Sequence, residues 1–313
     1  MILRAVLRRG TAAVAALAAL VLLAVLAGCT PAPSDDIRVS PAGDVKLNLI
    51  EVDGIPRSYI LHVPSDVRPG KPLPVVVMLH GAGGDAERAR LASGFDDYAD
   101  ADGFIVVYPN GTQAAAVPGE YSWNAGACCG APQRTGIDDV AFISAVLDEV
   151  AAQHPVDASR VYLTGFSNGG MLTYRLSCEL GERFAGVAIV GGALNLTVCD
   201  APSPMSVLIV HGTADHTVPY DGGESNERTA ARFGQWKNVS VADSTAFWRD
   251  RDECDDEPAT TIEGPIATDT YEGCIDDRML EVVTISEGTH AWPRLDTQGY
   301  DASASILSFF QLS

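Results

Sequence analysis

The sequence has 313 residues, 47% of them hydrophobic, which suffices for one large apolar core. Its formal net charge of −20 at pH 7 sets the surface against anionic partners. Nucleic acid is therefore excluded as an expected partner, and so are anionic lipid head groups as a docking surface.

Arg4, Arg8 and Arg9 form a positive opening segment, followed by sixteen apolar residues from Ala12 to Ala27. That run is short of the ~20 residues a helix needs to span a bilayer, so residues 1–28 read as a signal peptide. Leu26-Ala27-Gly28-Cys29 has the form of a lipobox, in which cleavage precedes Cys29 and the new amino terminus carries lipid. Ordinary cleavage nearby, with Cys29 incidental, is the alternative. On either reading the chain is expected outside the cytoplasm, lipid-anchored to the bacterial cell membrane or secreted. Residues 29–44 contain Pro31, Pro33 and Pro41 without hydrophobic periodicity and read as a tether. Residues 45–313 show no internal repeat or composition break and are expected to form one domain.

Lys46 to Val52 and Arg57 to Val63, separated by Asp53-Gly54, predict an opening hairpin. Pro74 to Leu79 and Phe104 to Tyr108 are nearly continuous apolar runs, as buried parallel strands require, and Ala86 to Ala101 between them predicts a crossover helix. Asp138-Asp139 can cap a helix that places Val140, Ile143, Leu147 and Val150 on one face and is closed by Pro155. Arg160 to Thr164, Val187 to Val190, Val207 to Val210 and Leu280 to Ile285 predict further strands, with helices over Asn168 to Leu180 and Ala302 to Phe310. This alternation predicts the α/β class: a doubly wound, mainly parallel sheet with helices on both faces and an N-terminal antiparallel hairpin. Ligands of such sheets bind beyond the carboxyl ends of the strands.

Setting Cys29 aside leaves six cysteines, an even number in a chain expected to be exported, which points to three disulfides. Cys254 and Cys274 flank a polar stretch, and Cys178 and Cys199 flank an apolar one, so these pairings are preferred. Cys128 and Cys129 remain, with a vicinal bridge as one outcome. No Cys-x-x-Cys or His-x-x-x-His spacing suggests zinc, and a metal site from His211, Asp215 and His216 would need one turn to aim all three side chains inward.

Gly165-Phe166-Ser167-Asn168-Gly169 falls between a predicted strand and a predicted helix, the context of a nucleophile elbow. A serine turned that sharply leaves no room for side chains two residues before or after it, which accounts for both glycines. Serine needs a base, and the base needs an orienting acid; in this fold they follow in the order serine, acid, histidine. His62, His80 and His154 precede Ser167, His211 precedes any suitable acid, and His216 adjoins Asp215, which leaves His290 as base. Asp215, just after the strand Val207 to Val210, is the expected acid, with Asp221 as second choice. The oxyanion of the tetrahedral intermediate is expected on the amides of Asn168 and of Ala82 in His80-Gly81-Ala82-Gly83-Gly84. Trp123 and Trp292 lie near these loops in sequence and are candidates for contact with an aromatic acyl group or a sugar, core packing being the alternative.

Leu79-His80-Gly81, Ser122-Trp123-Asn124-Ala125-Gly126-Ala127-Cys128-Cys129-Gly130, Asp138-Asp139-Val140, the Ser167 elbow, His211 to Asp215 with Val218-Pro219-Tyr220, and His290-Ala291-Trp292-Pro293 together resemble the polyhydroxybutyrate depolymerase and feruloyl esterase group of carbohydrate esterase family 1. The resemblance covers nearly all the chain from about Val45 and implies an α/β-hydrolase with the same three catalytic residues. It implies an ester substrate of feruloyl, acetyl-sugar or short hydroxyalkanoate type, hydrolysed with no metal or organic cofactor. Acyl transfer to a sugar or lipid hydroxyl would use the same residues, and a surface lipoprotein that only binds its ligand is the reading from another class.

Overall fold

The computed structural model describes residues 44–65, 70–114, 119–196, 198–199 and 203–313. The expected signal peptide, Cys29 and all of the expected tether except Asp44 lie outside the described residues. Asp44 itself begins a strand: β1 (Asp44–Val52) pairs antiparallel with β2 (Ile55–Val63) across Asp53-Gly54. The run Leu73–Leu79 forms β3 and is buried at every residue, as is β4 (Ile105–Pro109), because helices cover both faces of the sheet there. The later strands are β5 (Val156–Phe166), β6 (Gly186–Val190), β7 (Ser206–Gly212), β8 (Ala259–Glu263), β9 (Ile266–Tyr271) and β10 (Leu280–Ile285). They join one ten-stranded sheet in the order β1-β2-β4-β3-β5-β6-β7-β10-β9-β8.

The pairs from β4 through β3, β5, β6 and β7 to β10 are parallel, while β1-β2, β2-β4, β10-β9 and β9-β8 are antiparallel. The chain passes from β3 outward to β4, then returns to the other side of β3 with β5. The carboxyl ends of β3 and β5 therefore lie side by side where the winding reverses, with Leu79 in register with Gly165.

The single helix expected over Ala86 to Ala101 is two, α1 (Ala86–Ser93) and α2 (Phe95–Asp102), because Gly94 takes a left-handed φ of 61° between them. After the short α3 (Gly130–Thr135), α4 (Asp139–Gln153) is capped by Asp138, whose Oδ1 accepts the Ala141 N–H at 2.9 Å. Val140, Ile143, Leu147 and Val150 are all buried, as their spacing requires. Asp139 is not a cap. It turns inward, fully buried, and accepts from the Arg57 guanidinium at 2.7 Å and from the Asn124 N–H at 2.7 Å.

The remaining helices are α5 (Asn168–Leu180), α6 (Glu227–Phe233), α7 (Val241–Arg251), α8 (Leu295–Gln298) and α9 (Ala302–Phe309). One apolar cluster on the sheet contains Trp123, Phe142, Leu172 and Trp248; a second contains Phe95, Phe104, Ile306 and Phe310. The hairpin β8-β9 was not expected from sequence. Every residue of β8 is exposed, so it lacks the apolar alternation by which a strand is recognised. Cys178 pairs with Cys199, Cys254 with Cys274, and Cys128 with Cys129.

Candidate active site

Ser167 stands between the end of β5 and the first residue of α5 with φ 56° and ψ −119°, a conformation that a residue bearing a side chain adopts only under strain. The flanking glycines make the turn possible. A Cβ at Gly165 would lie 2.4 Å from the Gly169 carbonyl, and one at Gly169 would lie 2.4 Å from the carbonyl oxygen of Leu79. The elbow is thereby pressed against the end of β3.

His290, in the loop after β10, reaches Ser167 Oγ with Nε2 at 2.9 Å and Asp215 Oδ2 with Nδ1 at 2.6 Å. Asp215, in the turn after β7, is 3% exposed. Its Oδ1 accepts the N–H groups of Thr217 and Val218, each at 2.8 Å, which fixes the carboxylate plane. His211 Nε2 lies 2.8 Å from the Val218 carbonyl and 3.5 Å from Asp215 Oδ2. Burial pushes the Asp215 carboxyl up, but bonds from His211 and His290, the charge of His290 and the Val218 amide outweigh it and hold the group well below the usual carboxylate range. It is thus a stable anion facing the imidazole.

The loops that carry Asp215 and His290 are pinned by a near-contact of main chains. A Cβ at Gly212 would fall 2.2 Å from the Gly288 carbonyl oxygen, and that same oxygen accepts the Ala214 N–H at 2.9 Å. Asp221 and His216 are exposed, and neither enters this arrangement. Among the described residues, no group of three or more His, Cys, Asp or Glu side chains is placed to hold a metal.

Ala82 and Asn168 border the same cavity as Ser167. Asn168 opens α5, so its N–H has no acceptor within the helix. In the loop after β3, the Gly83 N–H is taken by the Tyr121 carbonyl at 2.7 Å and that of Gly84 by Gly81 at 3.0 Å. His80 holds this loop from beneath: the Gly111 N–H donates to its Nε2 at 3.0 Å, which leaves Nδ1 to donate to the Gly81 carbonyl at 2.8 Å.

Trp123, expected as a substrate contact, is fully buried. Its indole N–H donates to the His80 carbonyl at 2.8 Å, and its ring packs at 4.7 Å from the imidazole. The structure corrects that expectation: the indole has no surface to offer a ligand and instead supports the loop. Trp292 is 7% exposed, bonds Ser303 Oγ through its N–H at 3.0 Å, and borders a neighbouring cavity instead of that at Ser167. The Ser167 cavity, about 140 Å³, is walled in part by Phe233 at the end of α6 and by Trp236 just beyond it. The sequence carries no signal for these two aromatics, because they follow no motif and belong to none of the strand-end loops that bear Ser167, Asp215 and His290. The sequence places His80 at the start of the Ala82 loop and excludes it as the base, but its support of that loop depends on Gly111, 31 residues away.

A family model described as "Esterase PHB depolymerase" matches residues 57–223. The chain belongs to this esterase family. It is 34% identical, over 78% of its own length and 73% of the other's, to "Putative esterase NocK" of Nocardia uniformis subsp. tsuyamanensis. With "Feruloyl esterase C" of Emericella nidulans it shares 32% identity over 70% of this chain and 71% of that one. The match to "Feruloyl esterase B" of Piromyces equi, 29% identical, spans 75% of this chain but 42% of that longer protein. The acetyl xylan esterase from Aspergillus awamori superposes with a TM-score of 0.61 at 15% identity, covering 86% of this chain and 100% of that one, and shows the α/β-hydrolase fold. As a member of the Esterase PHB depolymerase family, the protein is a carboxylic ester hydrolase.

Proposed function

We propose that the protein is an exported serine esterase acting on esters of feruloyl, acetyl-sugar or short hydroxyalkanoate type through an acyl-enzyme on Ser167. The observation that carries this reading is the continuous chain from Ser167 Oγ through His290 to Asp215, at 2.9 and 2.6 Å, beginning at a serine with positive φ. His290 Nε2 takes the hydroxyl proton as Ser167 Oγ bonds to the ester carbonyl carbon, while the Asp215 carboxylate accepts a hydrogen bond from Nδ1–H and stabilises the imidazolium. The amides of Ala82 and Asn168 hold the oxyanion. The intermediate collapses, the bond to the alcohol oxygen breaks, and His290 gives that oxygen its proton. Water then repeats the sequence on the acyl-enzyme, giving its proton to His290 and its oxygen to the acyl carbon, and Ser167 leaves with the proton returned.

Names among the relatives, feruloyl esterase and acetyl xylan esterase, support phenolic and acetyl-sugar esters as substrates. Covalent labelling of Ser167 by a fluorophosphonate, with hydrolysis of a panel holding nitrophenyl esters, methyl ferulate and an acetylated sugar, tests the reading. An unlabelled, inactive wild-type protein would overturn it.

Export to a lipid-anchored state is supported by the leader pattern ending at Cys29 and by the pairing of the six other cysteines. Replacing Cys29 by Ala is expected to release an active enzyme from membranes, because lipid would be attached outside the folded domain. Membrane fractionation that left the variant bound would rule out the Cys29 anchor.

A further inference from the structure

A second cavity, of about 280 Å³, adjoins the one at Ser167: Gly81, Ala82 and Phe166 line both. Its outer walls are Met78 from the end of β3, Ala89 and Ala92 from α1, and Trp292 two residues beyond the base. The polar groups around it are already engaged. Arg88 donates to the Gly83 carbonyl at 2.8 Å and lies 3.5 Å from Asp85, both ring nitrogens of His80 are bonded within the loop, and the Trp292 N–H is held by Ser303. Away from the exposed Arg88 guanidinium, such walls favour an uncharged apolar group, because a polar one would lose its water and find no partner there.

An ester presents two halves that diverge from the carbonyl carbon. With the carbonyl oxygen at the amides of Ala82 and Asn168 and the carbon beside Ser167 Oγ, one half can occupy the Ser167 cavity of about 140 Å³. The other half is placed to run past Gly81, Ala82 and Phe166, the residues that the two cavities share. We infer that the cavity between α1, Phe166 and Trp292 seats the larger, uncharged alkyl or aryl half of the ester. This inference rests on the serine-esterase reading of the site and adds to it a location for substrate selection.

Ala92 is the position at which to test it. It is partly exposed on α1, so a larger side chain there can enter the cavity without displacing the buried core. The wild-type chain, Ala92→Phe and the milder Ala92→Leu are compared on two series: nitrophenyl esters from acetate to octanoate, and acetates of alcohols from methanol to phenylethanol. In each series the ratio of kcat/KM for the largest to the smallest ester is measured, with a thermal melt and fluorophosphonate labelling for every variant. The ratio is expected to fall about tenfold or more in Ala92→Phe and by less in Ala92→Leu. A fall in the first series assigns the cavity to the acyl half, and in the second to the alcohol half. Ratios unchanged in both series, in protein that melts normally and is labelled, overturn the inference while leaving the esterase reading intact. Absence of labelling and turnover in the wild type would overturn the esterase reading itself. If Ala92→Phe does not fold, Ala92→Leu decides by the same ratios.

Discussion

The main-chain carbonyl of His80 accepts the indole N–H of Trp123 at 2.8 Å, deep beneath the active site. The main chain of Trp123 also bonds the Asn168 side chain in both directions, giving its N–H to Oδ1 at 2.7 Å and accepting from Nδ2 at 3.2 Å. One buried residue thus ties the loop carrying Ala82 to the residue after Ser167. Trp123→Phe keeps most of the ring but orphans the His80 carbonyl. It is expected to cost about 1–3 kcal/mol of stability and to lower kcat about tenfold with KM little changed. Wild-type kcat in that variant, measured on a short nitrophenyl ester, would show that the amides of Ala82 and Asn168, proposed to hold the oxyanion, are positioned independently of the indole.

On the proposed mechanism, Ser167→Ala and His290→Ala are each expected to reduce turnover by about 10⁶-fold, since no neighbouring group would replace the attacking oxygen or its proton acceptor. Asp215→Asn should cost less, about 10⁴-fold, because the base remains and only its tautomer and orientation suffer. Single-turnover assays under identical conditions check the order. A Ser167 variant that retained wild-type turnover would remove the serine from the chemistry.

Gly212→Ala should damage a site that it does not touch. Its new Cβ would fall 2.2 Å from the Gly288 carbonyl oxygen, so the turn bearing Asp215 and the loop bearing His290 must separate. A loss of about 3 kcal/mol in stability is expected, with a fall in kcat that exceeds any change in KM. Equilibrium unfolding and steady-state kinetics on the same preparation provide the check; an unchanged kcat would mean that the two loops tolerate the shift.

His80 makes the protein sensitive to acid. Burial lowers its imidazole to about 4, against about 6.5 for a free histidine. Between those values the unfolded chain binds a proton that the folded protein does not. Its contribution to stability is therefore complete above about pH 6.5 and is lost as pH falls toward 4, by up to about 3 kcal/mol. Protonation would also put a hydrogen on Nε2, where the Gly111 N–H donates. Urea unfolding from pH 7 to pH 4 should show a steeper decline in the wild type than in His80→Gln. Equal slopes would show that the buried ring does not carry this dependence.

The elements most legible in the sequence were those whose local chemistry admits few alternatives. The runs at β3 and β4 are apolar throughout because both faces are covered, and the elbow at Ser167 declares itself because Gly165 and Gly169 are needed to avoid clashes of 2.4 Å. Where the physics is not local, the sequence was silent or misleading. Gly94 inside a helical pattern looks tolerable until its φ is known, and β8 owes its place to pairing with β9 and to no burial of its own. Trp123 could not be told from a surface aromatic by its neighbours in the chain, since its partner His80 lies 43 residues away.

The hydroxyl and imidazole of the site are separated by 123 residues, and the imidazole and carboxylate by 75. Each sits just past the end of a different parallel strand, β5, β7 or β10, and β6 must be in place between the first two for the distances to close. Asp215 and His290 follow two strands that pair directly, but Ser167 joins them only when β5, β6 and β7 are also paired, and parallel pairing requires long loops to close before any contact is gained. Reactivity at Ser167 is therefore a late and collective property of the chain. The rate at which a refolding sample recovers fluorophosphonate labelling should report completion of the central sheet, later than recovery of helical signal.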